Sequence, residues 1–133
     1  PISRTREQLS WIYLHLPVTM GIAAVGASIL NVVEHSGETL PREVRMLLVV
    51  AIAAVLVSIA MILKSLKLPE SLRRAYRTGA HVMFISGLLI LFVGLTLLSA
   101  IPLLLLLVVL MLAPVLYSVL VWIKVFDARE LEM

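Results

Sequence analysis

Four long apolar stretches occupy most of this 133-residue chain and constrain its fold more than any other feature. They span approximately residues 9–33, 46–63, 79–100 and 102–123. An α-helix needs about 20 apolar residues to cross the hydrocarbon of a bilayer, and each stretch is close to that length or exceeds it. Continuous apolar runs also differ from the alternating pattern of a β-barrel. The sequence therefore predicts an all-α polytopic membrane protein, a single domain whose four transmembrane helices form an antiparallel bundle.

The basic residues lie almost entirely on one side of the predicted spans. The polar head, the connection 64–77 and the polar tail together carry nine of the 11 Lys and Arg residues. The loop 34–45 carries two, and the turn 99–102 carries none. Because loops rich in Lys and Arg stay in the cytoplasm, this asymmetry predicts that both termini and the basic connection are cytoplasmic.

The composition excludes several classes of function. There is no Cys, which rules out disulfides, thiolate metal sites and thiol nucleophiles. The net charge of +3 is small and no soluble domain carries it, so the sequence does not predict nucleic-acid binding. No Ser-His-Asp set, phosphate-binding Gly-rich loop or carboxylate pair can be assembled. The leading interpretation is therefore a protein that is not an enzyme and holds no cofactor, with the lipid bilayer as its main partner.

Small residues indicate where the spans approach one another. In lipid, helices gain little from burying apolar surface, so contact through small side chains matters more. Ala80, Gly87 and Gly94 recur every seven residues in the third span, and Gly21 and Gly26 are the corresponding positions in the first. The fourth span is mostly Leu and Val. We therefore expect the first three spans to form the tight core and the fourth to face more lipid, the alternative being that Gly and Ala are simply common in membrane helices.

Two prolines lie inside predicted helices. Pro17 and Pro114 each remove a backbone N–H and free the carbonyl four residues earlier. A kink is therefore predicted in the first and the last span. Thr19 and Ser118 are close enough in sequence to satisfy the freed carbonyls.

Histidines are the remaining candidates for chemistry, because no Asp, Glu, Lys or Arg lies within the four apolar stretches. The predicted topology places His15 and His81 at a similar depth on different helices, where they could ligate a metal or a haem iron or pass a proton. The favoured alternative is that each imidazole bonds a backbone carbonyl or a neighbouring hydroxyl. His35 lies in the outer loop with Glu34 and Glu38, where a solvated loop is favoured over a weak metal site.

One segment resembles a known family. It reads WIYLHLPVTMGIAAVGASILNVVEHSGETLP from Trp11 to Pro41. Its aromatic start, the His15-Leu16-Pro17 tripeptide, the Gly21-Ile22 pair and Glu34-His35 resemble the low temperature requirement protein A family of bacteria. That resemblance implies a polytopic protein of the bacterial inner membrane and a link to growth in the cold, with no known reaction or substrate.

The resemblance covers only part of such proteins. The whole chain corresponds to their final third, and their larger N-terminal membrane portion, with its charged intramembrane motif, has no counterpart here. The chain begins with Pro1, so it is either a fragment or a small relative that keeps the last four helices. Where the family more often has His-Pro in the outer loop, this chain has His35-Ser36.

The leading hypothesis for function is a packing or assembly module, either part of a larger membrane protein or self-associating as a homo-oligomer. A component of a small-solute or ion transporter is the second hypothesis, and the lack of charge within the spans argues against it. The third is haem or metal binding through His15 and His81.

Overall fold

The computed structural model describes residues 2–131, which form four α-helices. Each helix is long and apolar enough to cross a membrane. The prediction of an all-α fold with four membrane-spanning helices is therefore confirmed. The helices are α1 (Ile2–Glu34), α2 (Arg42–Ser65), α3 (Glu70–Val93) and α4 (Ala100–Leu131).

The helices pack in series, with α1 against α2, α2 against α3 and α3 against α4. In the most apolar part of each helix, half of the residues are buried in α2 and 33% in α3, but only 17% in α1 and 11% in α4. The contacts of α1 with α2 and of α2 with α3 are more extensive than that of α3 with α4, which agrees with the expected core of the first three spans. Helix α4 is the least buried of the four, as expected, and α1, which has one principal neighbour, is nearly as exposed.

Contacts between neighbouring helices run in reversed order along the sequence. Gly87 of α3 lies opposite Ala53 of α2, whereas the later Gly94 lies opposite the earlier Val49. Between α1 and α2, Gly21 lies opposite Val55, and the Glu7 carboxylate bonds the ammonium of Lys67 farther along. This order is that of antiparallel neighbours for α1 with α2 and for α2 with α3, and an antiparallel bundle of all four helices stays a prediction.

The connection between α3 and α4 differs from the predicted one. The third span was expected to end at Ala100, but α3 ends at Val93. The reason is a local set of bonds, in which the Val93 carbonyl accepts both the backbone N–H of Thr96 at 3.0 Å and its hydroxyl at 2.6 Å. The amide of Ala100, the first residue of α4, donates instead to the Glu38 carbonyl at 3.0 Å. This bond ties the start of α4 to the loop between α1 and α2.

Helices α1 and α4 continue through Pro17 and Pro114. The hydroxyl of Thr19 donates to the His15 carbonyl at 3.1 Å, and that of Ser118 donates to the Pro114 carbonyl at 2.8 Å. These are not the carbonyls that the prolines free, so the predicted role of the two hydroxyls is wrong. A Ser or Thr in a helix reaches its own i−4 carbonyl most easily, and that local geometry decides the partner. The kinks themselves stay predictions.

Candidate functional site

Both intramembrane histidines bond carbonyls of their own helices. His15 Nδ1 donates to the Trp11 carbonyl at 2.7 Å, and the two rings lie with centroids 3.9 Å apart. His81 Nδ1 donates to the Arg77 carbonyl at 2.6 Å. This agrees with the favoured interpretation of each imidazole as a group that bonds the backbone. It also leaves Nε2 as the nitrogen with a free lone pair in each neutral ring.

The structure places the two histidines in different surroundings. His15 is half-buried on α1, and His81 is exposed on α3, on the far side of α2 in the packing order. His81 lines a basic pocket, described below, in which His15 takes no part. Within residues 2–131, no group of three or more His, Asp or Glu side chains is placed to hold a metal ion. His35 bonds locally as well, with Nδ1 donating to the Asn31 carbonyl at 3.0 Å.

The five predicted packing positions fall into two groups. Ala80, Gly87 and Gly94 are buried, and so is Gly21. A Cβ at Gly21 would meet the Ala51 carbonyl oxygen at 3.0 Å and collide with Val55, so these backbones approach closely.

Gly26 behaves differently from the other four. It is exposed, and a Cβ there would meet no heavy atom of the described residues within 4 Å. Gly21, Ser28 and Val32 form the buried face of α1, and Gly26 lies on its other side. Gly26 therefore contacts no other helix within the described part of this chain, and its role in packing stays a prediction.

An apolar cavity of about 420 Å³ lies between α2, α3 and α4. The α2 wall is formed by Ile59 and Leu63, and the α4 wall includes Val121 and Trp122. On the α3 side, the Tyr117 hydroxyl donates to the Ala75 carbonyl at 3.2 Å, which links α4 to α3 at the cavity wall. We call this space the apolar cavity.

A second pocket of about 330 Å³ adjoins the apolar cavity and shares Leu63 and Tyr76 with it. We call it the basic pocket, because its polar lining consists largely of side chains that can carry positive charge. They are Lys64, Arg73, Arg77 and His81. From the sequence, the basic connection was recognisable only as an orientation signal. That these side chains lie beside an apolar cavity could not be predicted, because the cavity depends on the tertiary packing of α4 relative to α2.

Arg45 was also missed. Sequence analysis assigned it to the outer loop, but it lies in the first turn of α2 and is only 7% exposed. Its Nε is buried and has no hydrogen-bond partner among the described residues. The sequence does contain an indication of this burial. Arg45 comes three, four and seven residues before the buried Leu48, Val49 and Ile52, a spacing that places it on their face of the helix.

Comparison with known proteins identifies a family. The family described as Bacterial low temperature requirement A protein (LtrA) matches residues 2–120, which is most of the chain. No curated protein and no solved structure gave a match. The match includes α1, α2, α3 and most of α4, so it extends well beyond the segment that carried the resemblance.

Proposed function

Since this chain belongs to the bacterial low temperature requirement A family, we propose that it is a non-enzymatic packing and assembly module of the bacterial inner membrane, linked to growth in the cold. The family and the four apolar helices make it an integral membrane protein. The further step is that its outer helices bind other membrane helices, either those of a second copy or those of a larger membrane protein.

The observation that carries this proposal is the open packing of the helices. Because they pack in series, α1 and α4 are largely exposed at the two ends of the bundle. On α1 the exposed surface includes Ala23, Gly26 and Ala27, which share one face at helical spacing. Small residues let helices approach closely in lipid, where packing and hydrogen bonds replace the hydrophobic effect. The exposed small face of α1 therefore has the surface chemistry of a helix–helix interface.

Cross-linking in native membranes tests the assembly step. The chain has no Cys, so Ala27→Cys provides a single thiol on the exposed small face, and Leu112→Cys on α4 provides a matched exposed control. We expect oxidation to cross-link Ala27→Cys to a second copy or to another membrane protein carrying a thiol. Adding Gly26→Leu should abolish that product, since a large side chain blocks close approach. Equal cross-linking of both thiols, or none from Ala27→Cys, would contradict the proposed interface.

Growth at low temperature tests the physiological link. In cells that lack the native gene, the wild-type chain should restore growth in the cold, and Gly26→Leu should not, although it folds and inserts normally. If Gly26→Leu restores growth in the cold as well as the wild-type chain does, the exposed small face of α1 has no role in that growth.

A further inference from the structure

The apolar cavity and the basic pocket adjoin each other as two halves of different chemistry. Leu63 of α2 and Tyr76 of α3 line both. At about 420 Å³, the apolar half is within the range of about 300–1,000 Å³ typical of ligand pockets. A ligand that fills both halves must be an amphiphile, with an apolar tail and a polar head.

Tyr117 and Gly79 line the apolar half and lie close together. A Cβ at Gly79 would be 3.4 Å from the Tyr117 ring, so the ring of α4 packs near the α3 backbone at this position. The Tyr117 hydroxyl is held by the Ala75 carbonyl at 3.2 Å. The ring therefore joins α4 to α3 along one edge of the cavity, while the α2 side is lined by Ile59.

The charge of the other half selects the head group. Lys64, Arg73 and Arg77 line the basic pocket, and no Asp or Glu does. Within the described part of the chain the one ion pair joins Lys67 to Glu7, outside this pocket, so these three cations form none there. Arginine binds phosphate through paired N–H groups, and basic pockets between membrane helices suit anionic lipid head groups.

We propose that the joined pockets bind one anionic phospholipid of the surrounding bilayer. Its phosphate lies between Arg73, Arg77 and Lys64, and one acyl chain occupies the apolar cavity beside Trp122. A zwitterionic phospholipid has the same tail but carries its own cation, so it binds more weakly. The basic pocket and the cavity together account for both parts of this ligand.

Fluorescence quenching tests the proposal, because Trp122 lines the cavity and Trp11 is the only other tryptophan. With Trp11→Phe, the full chain in vesicles reports from Trp122 alone. Bromine atoms on an acyl chain quench nearby indole. Phosphatidylglycerol brominated on one chain should quench at a mole fraction about tenfold lower than equally brominated phosphatidylcholine, as expected for a site with several cations.

Two double variants separate the pocket from general surface charge. Arg73→Gln with Arg77→Gln removes two pocket cations, whereas Arg4→Gln with Arg74→Gln removes the same charge from residues that line neither pocket. The first pair should abolish the preference for phosphatidylglycerol, and the second should retain it. Melting temperature and helicity in detergent check that both fold.

Several outcomes would overturn the site. One is equal quenching of the parent protein by the two lipids. Another is an equal loss of the preference for phosphatidylglycerol in both double variants, which would mean that the preference comes from general surface charge. Protection of Trp122 from both lipids alike would show that a protein surface covers the cavity instead. If Ile59→Phe, which narrows the cavity, leaves the quenching of Trp122 by brominated phosphatidylglycerol unchanged, the acyl chain lies elsewhere.

Discussion

Gly21 of α1 lies against Val55 of α2 so closely that no side chain fits between them. A Cβ at this position would collide with Val55 and come within 3.0 Å of the Ala51 carbonyl oxygen. The Val55 side chain can rotate, but the backbone oxygen cannot yield without moving the helix. The close approach of α1 and α2 therefore depends on glycine at this position.

Gly21→Ala should destabilise the chain by about 1–3 kcal/mol, because overpacking forces the two helices apart. The control is Gly26→Ala, where a Cβ meets nothing within 4 Å. Thermal unfolding in a detergent that keeps the protein monomeric measures both. Similar melting temperatures for the two variants would show that the α1–α2 contact is not close.

At Gly87, α3 lies less close to α2 than α1 does at Gly21. A Cβ there would lie 3.5 Å from Val57 and 3.6 Å from the Ala53 carbonyl oxygen, which is ordinary contact. We therefore expect Gly87→Ala to keep wild-type stability, whereas Gly87→Leu separates α3 from α2 and lowers the melting temperature. A Leu variant as stable as the Ala variant would mean that Gly87 has no role in helix packing.

The long helices could be predicted because hydropathy and length decide whether a segment crosses a membrane. Their ends could not, since the end of α3 depends on bonds from Thr96 to the Val93 carbonyl and on the turn at Gly94. The candidate site escaped prediction for a related reason. Lys64 and Arg73 were visible as charges, but the cavity beside them depends on where α4 lies relative to α2.

His15→Ala should lower stability and leave the absorption spectrum of the purified protein unchanged. The Nδ1 bond to the Trp11 carbonyl and the contact with the tilted Trp11 ring are local, and their loss removes a hydrogen bond and a ring contact from α1. Visible absorption and metal analysis of the wild type and the variant in mild detergent test the alternative, in which His15 ligates a haem or a metal ion. A Soret band or stoichiometric metal that disappears in a well-folded His15→Ala would establish a ligand site.

Arg45→Met should keep or raise the melting temperature. The Arg45 side chain is buried and its Nε has no partner in the described structure, so its desolvation is not repaid by a hydrogen bond there. Methionine retains the apolar stem and removes the polar group. Arg42→Met, at an exposed position of the same turn, is the control and should change little. Strong destabilisation by Arg45→Met alone would reveal an interaction of the guanidinium that stabilises the fold.

The orientation in the membrane is predicted from the distribution of basic residues. Thr39 is exposed in the loop between α1 and α2, and Ser71 is exposed at the start of α3, within the basic connection 64–77. Because Lys and Arg are retained in the cytoplasm, we expect Thr39→Cys to react with a membrane-impermeant maleimide added to cells whose inner membrane is intact. Ser71→Cys should react only after that membrane is permeabilised. The chain has no other thiol, so each signal reports one position. The opposite labelling pattern would place the basic end outside the cytoplasm and show that the charge rule fails for this protein.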